Sequence, residues 1–106
     1  MEDNIAVKLI HFGVLAEYNG FNYMCWILKK YNSYNVSEFT MNALTSELSE
    51  AFSVSRKAVL HNLTLLLERS WNSKDSLLHD IFNVYDYMPT LKEFIATLII
   101  LEEYEI

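Results

Sequence analysis

"SVSRKAVLHNLTLLLERSW", residues 53–71, sets three small residues ahead of an apolar pattern that returns every three or four positions. On a helical wheel Val59, Leu63, Leu66 and Ser70 fall in one narrow arc with Leu67 at its edge, and that arc is the expected core face. Opposite lie Lys57, His61, Thr64 and Glu68, with Arg56 where the helix begins. Upstream, Met41 to Phe52 carries Leu44, Leu48 and Ala51 or Phe52 on one stripe, which predicts a second amphipathic helix. Two helices separated only by Ser53-Val54-Ser55 have the spacing of a helix-turn-helix, expected over about residues 41–71.

The remainder of the chain supports the same fold class. Only two glycines and one proline interrupt 106 residues, of which 52% are hydrophobic and 21% charged. So few chain breakers predict helices joined by short loops: an all-α, single compact domain over residues 1–106 with five to six helices. A first helix is expected after Asn4, with Ile5, Leu9 and Phe12 inward and Gly13 as its stop. A second, entered through Asn19-Gly20, runs from about Phe21 to Tyr31 and buries Phe21, Met24 or Cys25, and Leu28. "YNSYNVSEF", residues 31–39, is rich in turn formers and reads as a connector. A further helix is expected from Ser76 to Tyr85, where Leu77, Leu78, Ile81, Phe82 and Tyr85 fall at helical steps. The last opens at "PTLKEF", residues 89–94: Pro89 ends the preceding segment, Thr90 caps, and Glu93 reaches back to complete a capping box. "EEYEI", residues 102–106, reads as an exposed, frayed acidic tail.

Charge and cysteine usage narrow the function classes. Eight basic and fourteen acidic side chains give a formal charge of −6, whereas a nucleic-acid-binding domain usually carries an excess of Lys and Arg. Between Met41 and Lys74 the balance is instead +1, so the two-helix segment is the least acidic part of an acidic chain. Cys25 has no partner for an internal disulfide, and its neighbours Met24, Trp26 and Ile27 suggest a buried thiol in a reducing cytosol. The acidic start "MEDN" does not resemble a signal peptide, and the longest apolar stretch, Phe94 to Leu101, is too short to span a bilayer. A soluble, cytoplasmic protein without membrane contact is expected. His11, His61 and His79 belong to three different expected helices and Cys25 to another, so no metal site and no cofactor are expected. Gly13 and Gly20 stand alone rather than in a phosphate loop, and Cys25 has no neighbouring base, so the chain does not read as an enzyme. Tyr18, Phe21, Tyr23, Trp26 and Tyr31 recur at helical spacing, which suits core and rim better than a base-stacking platform.

"GFNYMCW" at 20–26, the turn and helix ending in "LLLERSW" at 65–71, and above all "PTLKEFIA" at 89–96 carry a family resemblance. From about Ile5 to Glu102 the chain resembles the C-terminal effector domain of stage zero sporulation protein A, the regulator of endospore initiation in Firmicutes. The resemblance implies an all-helical DNA-binding domain with a helix-turn-helix, placed in the complete regulator behind a phosphorylatable receiver domain. No receiver is present here, so the same phosphorylation switch is not expected. Val59, Glu68 and Trp71 agree with the family's recognition-helix pattern, and Ser55 stands where a threonine is usual. Ala58, His61 and Thr64 occupy positions where the family places arginines, and Leu65 replaces a histidine. A good bidentate pairing between a side chain and a base supplies about 1–3 kcal/mol of discrimination, so without those arginines weak or divergent site recognition is expected.

Two functions follow as expectations. In the first, the chain is a stand-alone helix-turn-helix transcription regulator that contacts double-stranded DNA, as a dimer. Ser55, Arg56, Lys57, His61, Thr64 and Glu68 are then the contact residues. Arg56 and Lys57 would meet phosphate or guanine, His61 and Thr64 base-edge acceptors, and Glu68 a cytosine amine. In the alternative, DNA binding has been lost and the domain pairs with another protein or with a related regulator. Leu60 and Leu65, on the shoulders of the outer stripe, are the candidate partner residues, unless they pack beneath neighbouring helices.

Overall fold

The computed structural model describes residues 3–32, 34–36, 38–73, 78–82 and 88–104. Six helices and no strand occur among them: α1 (Asp3–Phe12), α2 (Asn19–Lys30), α3 (Met41–Phe52), α4 (Arg56–Trp71), α5 (Leu78–Ile81) and α6 (Leu91–Tyr104). The all-α expectation is thereby met, in one globule with a Cα radius of gyration of 12.8 Å. None of these helices is long and apolar enough to cross a membrane.

Each boundary has a local cause. The N–H of Gly13 donates to Ile10 (3.0 Å) and that of Val14 to Leu9 (3.0 Å), a Schellman close that requires the left-handed backbone of Gly13 (φ 99°). Leu9, Phe12 and Val14 are buried beneath it. In α6 the capping box forms as its sequence predicts. Glu93 N–H donates to Thr90 Oγ1 at 3.2 Å, and Thr90 N–H donates to Glu93 Oε1 at 2.8 Å.

α4 lies at the centre, packed against α2, α3, α5 and α6. Its expected inward face is the observed one: Val59, Leu63, Leu66, Leu67 and Ser70 are all buried. Opposite them stand Leu44 and Leu48 of α3, Phe21, Met24, Ile27 and Leu28 of α2, and Phe94, Ile95, Leu98 and Ile99 of α6, also buried. The α2–α4 approach is very close at Gly20, where a Cβ would stand 2.5 Å from the Asn62 carbonyl oxygen. Asn19-Gly20 is therefore not a lead-in but the first turn of α2, and only glycine fits where the two backbones meet.

Three further expectations need correction. Neither Ala51 nor Phe52 is buried. At the last turn of α3 the Phe52 ring lies on the rim, edge-on to Tyr23 with centroids 4.8 Å apart, and the buried residues of α3 are Leu44, Thr45 and Leu48. The helix expected over 76–85 ends at Ile81, with Phe82 in a turn; 76–77 and 83–85 lie outside the described residues. α5 is held by tertiary contact, since His79 stacks on Trp71 at 3.9 Å and its Nε2 bonds the Trp71 carbonyl at 2.7 Å. The acidic end is not frayed as far as Tyr104. α6 continues through it, and Lys8 Nζ donates to the Glu102 carbonyl at 2.7 Å and pairs with its carboxylate at 3.7 Å.

Candidate nucleic-acid interface

The junction between α3 and α4 is built from serines. Ser53 adopts the left-handed conformation (φ 55°, ψ 46°), and its N–H and that of Val54 both donate to the Ser49 carbonyl. The Ser49 hydroxyl in turn donates to the Val54 carbonyl. One residue later Ser55 caps α4, its Oγ accepting from Ala58 N–H at 3.0 Å. Thr40 caps α3 in the same manner, accepting from Ala43 N–H at 3.1 Å. The chain thus turns in three residues with both helix N-termini capped, and the two helices cross so that the first turn of α4 also approaches the first turn of α3.

That proximity shows in one bond. Arg56 Nη2 donates to Asn42 Oδ1 at 2.8 Å, which ties the first residue of α4 to the second of α3. Arg56 and Lys57 are exposed, and among the described residues no carboxylate pairs with either. Along the outer stripe His61 and Glu68 are exposed and Thr64 is half-buried. Ser55 is exposed, but its oxygen already serves the cap, so its role is to start the helix. The two shoulder leucines part company: Leu60 is 46% exposed, whereas Leu65 is half-covered. Ala58, one of the positions where the resemblance expects arginine, is half-buried as well.

Between the two first turns lies an open depression of about 350 Å³, lined by Met41, Asn42, Thr45, Arg56, Lys57 and Leu60. Its walls are mostly apolar, with the two cations at its rim. Thr45 adds no free donor, because its hydroxyl proton is directed at the Met41 and Asn42 carbonyls of its own helix (2.8 and 3.1 Å). Met41, Asn42 and Thr45 are absent from the sequence-predicted site. The three-residue turn gives no signal for them, because it sets the first turn of α4 beside the last turn of α3, and their nearness to Arg56 follows from how the two helices cross.

The other chemistry-bearing groups stay apart. His11, His61 and His79 lie on α1, α4 and α5, and no grouping of His, Cys, Asp or Glu among the described residues could hold a metal ion. Cys25 is half-buried; burial pushes its thiol pKa up, opposed in part by the Lys29 charge. It is therefore held as the thiol, not the nucleophilic thiolate. Compared with family models, curated proteins and solved structures, the chain matches none of them.

Proposed function

We propose that α3, its three-residue turn and α4 act as a helix-turn-helix that contacts duplex DNA, in a transcription regulator resembling the sporulation-regulator effector domain. One observation carries this reading: on the outer stripe of α4 Lys57, His61 and Glu68 are exposed, and it is headed by two cations without carboxylate partners among the described residues, in a chain of formal charge −6. Arg56 and Lys57 suit phosphate. The Asn42 bond holds Arg56 toward the start of α3 rather than along α4, which suits backbone positioning beside Lys57, and His61, Thr64 and Glu68 are then the residues toward base edges.

Binding in this reading is weak and strongly salt-sensitive. Two phosphate contacts release roughly two counterions, against the six or more of tight binders, and the surrounding acidic surface repels the duplex. The test is fluorescence anisotropy of a labelled mixed-sequence duplex across a salt series, with wild type and the double variant Arg56→Gln, Lys57→Gln. Wild type is expected to bind at low salt with a logarithmic slope near −1.8, at about 0.9 per phosphate, and the double variant to show little of either the affinity or the slope. Binding that ignores the double variant, or no binding at low salt, refutes the reading.

A further inference from the structure

We propose that the depression between α3 and α4 seats an apolar anchor residue of an acidic, amphipathic protein segment, and that this partner and DNA exclude one another because both use Arg56 and Lys57. The docking itself is independent of the DNA reading; only the exclusion rests on it.

The shape and chemistry of the depression select the occupant. At about 350 Å³ it is on the scale of a small ligand pocket, roughly 300–1,000 Å³. Met41 and Leu60 supply apolar wall, and Leu60 is among the few large hydrophobics left exposed, at 46%. DNA does not fill such a recess. It offers phosphates and sugars, and the thymine methyl is the main apolar group in its major groove, so most of this wall would stay without an apolar partner. An aliphatic or phenylalanine side chain can occupy part of it and cover the Met41 and Leu60 wall.

Charge then decides what surrounds that anchor. The two rim cations have no carboxylate partner among the described residues, while the chain as a whole is acidic. A basic segment would be drawn elsewhere on this molecule. An acidic one is repelled by most of the surface but not here, so its carboxylates guide the anchor to this site. Asn42 engages only Nη2 of Arg56, leaving the other guanidinium donors for a carboxylate. The arrangement matches the helix-in-groove mode of recognition, in which the apolar anchor gives affinity and the charged rim gives selectivity. Since carboxylates on Arg56 and Lys57 displace phosphates from the same two side chains, the partner switches DNA contact off.

The experiment is selection of random displayed peptides on the immobilised full chain, with counter-selection on the bare support alone. Enriched peptides are then synthesised and titrated by anisotropy. The expected consensus is an aliphatic residue or phenylalanine flanked by Asp and Glu. Leu60→Asp and Lys57→Glu should each weaken binding by roughly tenfold or more. Both positions are exposed, so thermal melts should stay close to wild type. No enrichment, a neutral or basic consensus, or peptides that bind both variants as well as wild type would overturn the docking. For the exclusion, an excess of mixed-sequence duplex at low salt should displace the peptide. A duplex that binds alone yet leaves the peptide in place overturns the exclusion. A duplex that does not bind at all defeats the DNA reading, while the peptide titrations still decide the docking.

Discussion

Ser70 is wholly buried, and its hydroxyl accepts the Leu15 N–H at 3.1 Å, tying the segment between α1 and α2 to the far end of α4. Its place in the apolar arc of the wheel is legible from spacing, but its partner, fifty-five residues away, is not. Ser70→Ala removes the acceptor and leaves that amide unpaired beside the core, which should cost about 1–2 kcal/mol as a lowered urea midpoint at unchanged slope. At Gly20 two effects oppose each other. Alanine is favoured over glycine inside a helix by up to about 1 kcal/mol. Against that, its Cβ would meet the Asn62 carbonyl at 2.5 Å, and this obstacle is backbone that cannot rotate away. Overpacking of this kind costs about 1–3 kcal/mol, so Gly20→Ala should destabilise despite its better propensity. A raised melting temperature in that variant would show that α2 and α4 can separate more easily than their packing indicates.

Among the elements, the turn between α3 and α4 is the strained one. Ser53 is the only non-glycine residue with positive φ among those described, and a side chain there opposes the left-handed backbone by about 1–2 kcal/mol. Ser53→Gly relieves this but loosens the unfolded chain, leaving a net stabilisation of about 0.5–1 kcal/mol, readable as a higher denaturant midpoint. An unchanged midpoint would mean that the Ser53 side chain contributes to the reversal as much as its conformation costs. The helices on either side are readable from the sequence almost to the residue, because sixteen positions of α4 give its apolar period several turns in which to declare a face. Phe52 escapes that reading for the converse reason: at the end of α3 no later turn fixes the direction of the ring, and contact with Tyr23 decides it. α5 is shorter than its pattern suggests because apolar spacing alone does not hold a helix of that length, and the stack of His79 on Trp71 is a tertiary fact. The Asn42–Arg56 bond is equally out of reach of the sequence, since it depends on how two helix starts approach in space.

For the whole molecule, the balance between net charge and the local surface of α4 governs what can approach it. A formal charge of −6 works against a polyanion, and the positions on α4 that could offset it hold Ala58, His61 and Thr64. His61 is open to solvent and Thr64 and Ala58 are half-open, so longer side chains at these positions can extend outward without entering the core. The triple change Ala58→Arg, His61→Arg, Thr64→Arg raises the formal charge from −6 to −3 and places all three new cations on the helix that Arg56 and Lys57 begin. If that helix is presented as a DNA reader, the variant should bind the sporulation-regulator operator measurably where wild type forms no specific complex at moderate salt. Its logarithmic salt slope should steepen by up to about 2.7, at roughly 0.9 per added phosphate. A scrambled duplex separates charge from recognition, because equal improvement on both sequences indicates phosphate contacts alone, whereas a larger improvement on the operator indicates base readout. Should wild type already hold the operator tightly and selectively, Arg56, Lys57 and the backbone suffice and the missing arginines are irrelevant. Should the triple variant, folded by circular dichroism, bind neither duplex, α4 is angled away from the groove, and an interface for protein becomes the purpose of this face.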